Sequence, residues 1–150
     1  MSNSTPLLGK EQFKLMLVRP PGHLWPLINE SDNWLMPLGL PTMAAYLRRE
    51  MEGIDIKILD CLPEQVGWKS LEKAVAEYDP DVFGVGDMLI YMHEGMRAVS
   101  LAKRLNPDVI TIGGGHVHSH LPEYSLNNFP DLDYIVRYEG EETGLELLET

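Results

Sequence analysis

The sequence is poor in cysteine, in basic residues and in long apolar runs, and each shortage excludes a class of protein. Its 150 residues include one cysteine, Cys61, so neither a disulfide framework nor a cysteine-rich zinc or iron–sulfur site can form within the chain. A single cysteine beside eight methionines is typical of the reducing cytoplasm. No apolar run approaches the roughly 18 residues of a membrane-spanning helix. The first twelve residues lack the basic and apolar regions of a secretory signal.

Positive charge is scarce as well, and the formal net charge is −11. Residues 121–150 contain eight acidic residues and one basic residue, Arg137. A surface of this kind repels phosphate groups. We therefore expect no nucleic-acid partner.

Hydrophobic patterning predicts strands that alternate with helices. Residues 1–12 read as a disordered lead-in to one domain over residues 13–150. The predicted strands cover 13–18, 54–59, 82–85, 107–115 and 131–137, and the predicted helices cover 41–52, 68–78, 92–106, 122–129 and 140–150. This alternation favours a parallel sheet covered on both faces, which is a flavodoxin-like three-layer sandwich with five strands in the order 2-1-3-4-5.

Four unusual loops follow the carboxyl ends of the predicted strands. They are "RPPGHLW" (19–25), "GDMLIYMHEG" (86–95), "GGGHVHSH" (113–120) and "YEGEE" (138–142). The turns at the opposite edge are plain. Ligands of open parallel sheets bind outside the carboxyl ends of the strands, so the sequence predicts a ligand site here unless these are ordinary loops.

Several common ligands are excluded by missing motifs. The loop after the first strand lacks the G-x-G-x-x-G of dinucleotide folds, the Walker phosphate loop and the clustered acids of a phospho-acceptor receiver. A nucleophile elbow is also missing. Gly113, Gly114 and Gly115 remove three side chains at one strand end, which would let a large ligand approach the backbone and its N–H groups.

Three histidines at alternate positions, His116, His118 and His120, leave three interpretations open. On an extended segment they would share one face and could hold zinc. No cysteine accompanies them, and the H-x-H-x-D-H hydrolase pattern fails because His120 stands at its Asp position. They could instead be solvated loop histidines, or His116 alone could contact a ligand.

Four segments resemble one family in order and spacing. "PLGLPTMAAYLRREMEGIDIKILD" (37–60) is similar to P-x-G-L-x-x-L-A-A-x-L…G-x-x-V-x-I-x-D, and "PDVFGVG" (80–86) is similar to P-D-V-V-G-I-S. "ITIGGGHVHSHLPEYSL" (110–126) resembles V-V-x-G-G-P-H-x-x-x-x-P-E-x-x-L, and "DYIVRYEGEETGLELL" (133–148) resembles D-Y-V-V-x-G-E-G-E-x-T-x-x-E-L-L. Together they resemble the N-terminal cobalamin-binding domain of cobalamin-dependent radical S-adenosylmethionine enzymes. That family includes methyltransferases and the anaerobic ring cyclase of bacteriochlorophyll synthesis.

The chain departs from this pattern at four positions. Met43 replaces a Leu of similar volume. Gly115 stands where the pattern has Pro, Tyr138 replaces the first Gly of G-E-G-E, and Gly86 stands where Ser or Thr is common. The D-x-H-x-x-G motif, which supplies a lower axial histidine to cobalt in other cobalamin domains, is also absent.

The resemblance implies that cobalamin binds at the carboxyl ends of the strands. The implied cofactor-binding residues are Pro20, Pro21, Gly86, Asp87, Met88, Leu89, Ile90, Tyr91, Gly113, Gly114, Gly115, His116, Glu139, Gly140 and Glu141. Leu89, Ile90 or Tyr91 would cover cobalt, with His93 left open as an axial ligand.

Further roles follow from the same resemblance. The nucleotide tail would pass between the fourth and fifth strands, where Gly113–Gly115 give room. Glu139 and Glu141 would cap the last helix or hold polar groups of the tail. Trp25 and Trp34 would wall the pocket, unless they only cover the open edge of the core.

The resemblance also implies a larger enzyme. Its radical module needs C-x-x-x-C-x-x-C for a 4Fe–4S cluster that binds S-adenosylmethionine, and a chain with one cysteine cannot provide it. We therefore expect a cofactor-binding domain excised from a longer protein and not catalytic alone. The alternatives are a flavodoxin-like interaction module that has lost its cofactor, and a small metal-dependent hydrolase built on His116, His118 and His120.

Overall fold

A computed structural model describes residues 13–22, 37–87 and 91–150. It confirms the predicted sandwich: five parallel strands in the order β2-β1-β3-β4-β5, with helices on both faces. The strands are β1 (Phe13–Arg19), β2 (Ile54–Asp60), β3 (Val82–Asp87), β4 (Ile110–Gly115) and β5 (Tyr134–Ile135). The helices are α1 (Gly39–Glu50), α2 (Trp68–Tyr78), α3 (Met92–Leu105), α4 (His116–His120), α5 (Pro122–Asn128) and α6 (Gly140–Glu149). The predicted lead-in over residues 1–12 lies outside the described residues.

The two faces of β1 enter two separate hydrophobic clusters. Leu15 and Leu17 pack under α1 and α6, whereas Met16 and Val18 pack under α2 and α3. All four side chains are buried. Successive side chains of a strand point to opposite faces, and both faces of a parallel sheet are covered by helices. The apolar run Phe13–Val18 is therefore a fully covered strand.

Glycines leave one face of the central strands bare. In the β3–β4 register Gly86 lies beside Gly114. A Cβ on Gly84 would meet Leu17 at 2.8 Å, so Gly84 lies on the face covered by α1 and α6. Alternation along β3 places Gly86 on the same face, and the register places Gly114 there too. Space therefore remains between the sheet and these two helices, toward the carboxyl ends of the strands.

The structure corrects the prediction for "GGGHVHSH". Residues His116–His120 form helix α4 directly after β4 and are not an extended loop. The change of direction occurs at Gly115, whose φ of 95° and ψ of −174° end the strand. A second short helix, α5, starts at Pro122, a residue suited to the first helical position.

β5 is shorter than predicted, with two residues in place of seven. The residues before it bond to Thr111 of β4 through side-chain hydrogen bonds instead of extending the ladder. Thr111 Oγ1 donates to the carbonyl oxygen of Asp131 at 2.5 Å, and the Thr111 backbone N–H donates to Asp133 Oδ2 at 2.8 Å. Side-chain bonds of this kind compete with strand pairing.

Candidate functional site

A cavity of about 450 Å³ lies between the sheet and the helices α1 and α6. Its size is within the roughly 300–1,000 Å³ that is usual for small-molecule sites. The floor is formed by Leu15, Leu17, Gly84, Gly86, Ile112 and Gly114. The roof is formed by Leu40, Met43, Leu47, Gly140, Gly144 and Leu148. Residues that follow the strand ends form what we call the mouth: Tyr91, Gly115, His116, Tyr138, Glu139 and Glu141. The cavity is thus an apolar slot with a polar mouth.

Three of the six floor residues are glycines, and side chains at these positions would reduce the space in the slot. A Cβ on Gly86 would meet Leu40 Cδ2 of the roof at 2.9 Å. At Gly114, by contrast, the nearest atom to an added Cβ is the Val136 carbonyl oxygen at 3.8 Å, an ordinary van der Waals distance, so a methyl group fits there without displacing a neighbour. The backbone of β3 and β4 is therefore accessible to a ligand from this side.

Two glycines on α6 shape the roof. Gly140 and Gly144 are four residues apart and so share one face of the helix. A Cβ on either would meet Met43 Cε of α1, at 2.9 Å and 2.8 Å. The flexible thioether of Met43 therefore lies in the seam between the two helices, where it can yield to an entering group.

An ion pair lies at the carboxyl ends of β1 and β2, beside the slot. Arg19 lines the cavity and binds Asp60 at two points, Nε to Oδ1 and Nη2 to Oδ2, both at 2.6 Å. Cys61, the one cysteine of the chain, follows Asp60 directly. Burial, with the nearby carboxylates of Asp60 and Glu64, raises the pKa of Cys61 to about 12. Cys61 is therefore a neutral buried side chain, not a nucleophile.

The cavity collects residues predicted from three of the four loops. Those that line it are Gly86, Tyr91, Gly114, Gly115, His116, Glu139, Gly140 and Glu141. Pro20 and Pro21 are buried at the end of β1 and do not line it. Gly113 faces the opposite side of the sheet, where a Cβ would lie 3.2 Å from both His118 and Leu132.

Other predicted residues fall elsewhere. His93 is not at the cavity, since its ring packs edge-on against Phe129 with centroids 6.2 Å apart. Glu139 occupies the N-cap position of α6, but its side chain makes no capping hydrogen bond. The side chain of Asp87 and the residues Met88, Leu89, Ile90, Trp25 and Trp34 lie outside what the structure describes.

Helix α4 separates His118 from His116 and His120, whose rings stack with centroids 6.4 Å apart. His116 is exposed at the mouth. His118 is fully buried, and its Nδ1 lies 3.0 Å from Ser125 Oγ. His120 Nδ1 lies 2.7 Å from the carbonyl oxygen of His116. Across the described residues no three His, Cys, Asp or Glu side chains are grouped to hold a metal ion. The shared face expected of an extended segment is therefore absent.

Sequence reasoning missed several lining residues. Gly84 carries the same signal as Gly86, because residues two apart on a strand face the same way. Gly144 carries the equivalent helical signal, since it follows the predicted Gly140 by four residues. Met43 was noticed only as a substitution for Leu and Tyr138 only for replacing Gly, although both line the cavity.

The doubly wound parallel sheet, with an apolar slot opening at its carboxyl edge, defines a cofactor-binding α/β domain. The model of the family described as "B12 binding domain" matches residues 24–148 of the chain. The chain belongs to the B12 binding domain family.

Two curated relatives support this membership. The chain is 33% identical over 113 residues to an uncharacterized methyltransferase of Pyrococcus horikoshii, a match that covers 75% of this chain and 24% of that protein. It is 26% identical over 118 residues to the anaerobic magnesium-protoporphyrin IX monomethyl ester cyclase of Rubrivivax gelatinosus, covering 79% of this chain and 21% of the cyclase. The chain therefore spans less than a quarter of the length of either relative.

Solved structures share the fold. The cobalamin-dependent S-adenosylmethionine radical enzyme OxsB superposes with a TM-score of 0.64 at 23% identity, covering 93% of this chain and 18% of OxsB. The isolated receiver domain of RcsB from Salmonella enterica serovar Typhimurium superposes with a TM-score of 0.56 at 14% identity, covering 90% of this chain and 83% of that domain. Within the described residues, no helix combines the length and apolar character needed to cross a membrane.

Proposed function

We propose that this chain binds a corrinoid at the carboxyl edge of its sheet, with part of the cofactor inside the slot between the sheet, α1 and α6. The observation that carries the proposal is the glycine floor. Gly84, Gly86 and Gly114 line the cavity and place no side chain on one face of two adjacent strands, under a roof that carries two more glycines. A packed core has no use for this space, since interiors are normally filled by side chains.

The slot fits one part of a cobalamin better than the whole. Its 450 Å³ and its apolar walls match a flat heterocyclic base with its linker. A corrin ring would cover the strand ends outside. Gly86, Gly114 and Gly140 would flank the inserted group, and Tyr91, Gly115, His116, Glu139 and Glu141 would face the ring. This arrangement moves the tail from the expected path between β4 and β5 to the α1/α6 side of β3 and β4.

We further propose that the chain serves as the cobalamin-binding part of a larger radical S-adenosylmethionine enzyme. Its similarity to an uncharacterized methyltransferase and to a magnesium-protoporphyrin IX monomethyl ester cyclase, and the fold it shares with OxsB, support this. The bound cobalt would supply a methyl group or an electron to the substrate of that enzyme. S-adenosylmethionine and the 4Fe–4S cluster would be bound by other parts of it, because one cysteine cannot hold such a cluster. Within this chain the residues bind and orient the corrinoid.

Titration with hydroxocobalamin tests the proposal. The protein should retain the red cobalt spectrum after desalting, and the dissociation constant follows from the change in the visible spectrum. Gly114→Ala adds a methyl group to the floor with no atom closer than 3.8 Å, so the fold should keep its melting temperature. Overfilling a packed site costs about 1–3 kcal/mol, which corresponds to a loss of affinity of roughly 5- to 150-fold. Gly114→Val should weaken binding further.

Gly113→Ala is the matched control, because it is the same change one residue earlier on the opposite face. Its Cβ would lie 3.2 Å from His118 and Leu132, so it should lower the melting temperature and leave the affinity unchanged. Failure of the wild-type protein to retain cobalt at high protein concentration would contradict the proposal. Equal affinity of the Gly114 and Gly113 variants would place the cofactor outside the slot.

A further inference from the structure

Tyr138 has a backbone conformation that a tyrosine rarely adopts. Its φ is 59°, in the left-handed region, where non-glycine side chains are strained. Among the described residues only two other non-glycine residues share a positive φ, Gln65 and Asp79. Both belong to turns, and Asp79 ends α2. Tyr138 is the one of the three that lines the cavity.

Two hydrogen bonds hold Tyr138 and the residue before it in place. The Tyr138 backbone N–H donates to Ser119 Oγ at 2.8 Å, and Ser119 is 3% exposed at the end of α4. Arg137 Nε donates to the carbonyl oxygen of Ser119 at 3.1 Å. The segment before α6 is thus fastened to α4, and α4 also carries His116 at the mouth. Strain of this kind persists only where the surroundings over-determine it.

The side chain of Tyr138 is turned outward and is 70% exposed. Arg137 Nη2 donates to the phenol oxygen at 2.9 Å, and the Arg137 guanidinium lies 5.0 Å from the ring centroid. A phenol can both accept and donate. Since Arg137 occupies its acceptor side, the hydroxyl proton is directed away from Arg137. The nearby positive charge also makes that proton a stronger donor.

Folding gains little from this arrangement. Glycine would adopt the same φ without strain, and the ring buries little surface. The chain therefore holds an aromatic hydrogen-bond donor at the mouth at the expense of local stability. Such an outlier at a cavity indicates a functional contact.

Resting on the proposed corrinoid function, we propose that Tyr138 is a specificity-determining residue that contacts the bound corrinoid. Its ring lies against the edge of the cofactor, and its hydroxyl, oriented by Arg137, donates a hydrogen bond to an acceptor oxygen there. A corrinoid offers that oxygen in two places, the carboxamides around the ring and the phosphodiester of the nucleotide loop. Ser119 and Arg137 act as positioning residues.

Spectroscopic titration of four proteins with two corrinoids tests this inference. The proteins are the wild type, Tyr138→Phe, Tyr138→Gly and the control Tyr134→Phe. Tyr134 is also exposed, at 42%, but does not line the cavity. The ligands are hydroxocobalamin and aquocobinamide, which has the ring amides but lacks the nucleotide loop.

Tyr138→Phe removes one hydrogen bond and should weaken binding about 3- to 10-fold. Tyr138→Gly should weaken it more, while its melting temperature stays equal to or above that of the wild type because the backbone strain is relieved. Affinity that falls without a loss of stability separates ligand contact from a structural role. Tyr134→Phe should bind both corrinoids as the wild type does.

The two ligands identify the acceptor. Equal weakening for both corrinoids assigns the bond to a ring carboxamide, and weakening for cobalamin alone assigns it to the phosphodiester. Unchanged affinity of Tyr138→Phe and Tyr138→Gly for both, with wild-type binding intact, overturns the inference and leaves the proposed function standing. Absence of binding by the wild type overturns both.

Discussion

Replacing Gly115 by alanine should destabilise the fold, because this residue joins β4 to α4 in a conformation that other residues avoid. Its φ of 95° and ψ of −174° lie in a region that is essentially restricted to glycine. A side chain there is strained regardless of the space around it. The residue is exposed, so loss of burial does not complicate the interpretation.

The expected magnitude comes from two opposing terms. Holding a non-glycine residue in such a region costs about 1–3 kcal/mol. Alanine also restricts the unfolded chain, which returns about 0.4–1 kcal/mol. The midpoints of these two ranges give a net loss of about 1.3 kcal/mol, which lowers the melting temperature of a domain of this size by roughly 3–5 °C. Gly115→Pro should lose at least as much, since proline fixes φ near about −65°.

Thermal unfolding of the cofactor-free protein, followed by circular dichroism, measures this effect. Gly39→Ala is the control, because Gly39 is helical and an added Cβ there has no atom within 4 Å. It should leave the melting temperature unchanged or raise it slightly. A Gly115→Ala protein that melts at or above the wild-type temperature would refute the conformation on which the reasoning rests.

Two further predictions concern the opposite sheet face and the pH dependence. Leu71→Ala removes a fully buried side chain of α2 and should destabilise the protein by about 2–5 kcal/mol. Below its melting temperature the variant should still bind corrinoid with wild-type affinity, which spectroscopic titration measures. The thiol of Cys61 keeps its proton in the folded state up to about pH 12, whereas its ordinary pKa is 9.0. Its contribution to stability is therefore complete below pH 9 and is lost as the pH rises toward 12. Urea unfolding at pH 8 and at pH 10.5 measures how much unfolding free energy each protein loses as the pH rises. This loss should be smaller for Cys61→Ala than for the wild type, and equal losses would contradict the raised pKa.

The sheet could be predicted from sequence because its signals are local and repeated. The run Phe13–Val18 and the pattern of Ile54–Leu59 each identify a strand by composition and period, and the intervening helix shows a period of 3.6. Once strands and helices alternate, right-handed crossovers leave few orders for the sheet. The order 2-1-3-4-5 was therefore predictable, and the structure confirms it.

The site was less predictable because it depends on which face each residue takes. The three consecutive glycines read alike in the sequence, but Gly113 faces His118 and Leu132 whereas Gly114 faces the slot. Which glycine takes which face depends on where β4 begins, and the sequence does not mark that residue. The slot itself forms between α1 and α6, which are about a hundred residues apart in the chain, so no short motif describes it.

The two departures from the resembling pattern at the mouth differ in kind. Tyr138 stands where the pattern has a glycine and has a φ of 59°, which glycine adopts without strain, so the pattern's glycine fits the backbone of this chain. Gly115 replaces a proline and has a φ of 95°, which proline cannot adopt, so the path of the chain into α4 has changed. Residues beyond Tyr138, such as Glu139 and Glu141, can therefore be compared with the resembling pattern position by position. His116 cannot, because α4 leaves the sheet by a route that a proline-containing chain does not take. The role of His116 has to be established on this chain, by its own substitution, and not by analogy.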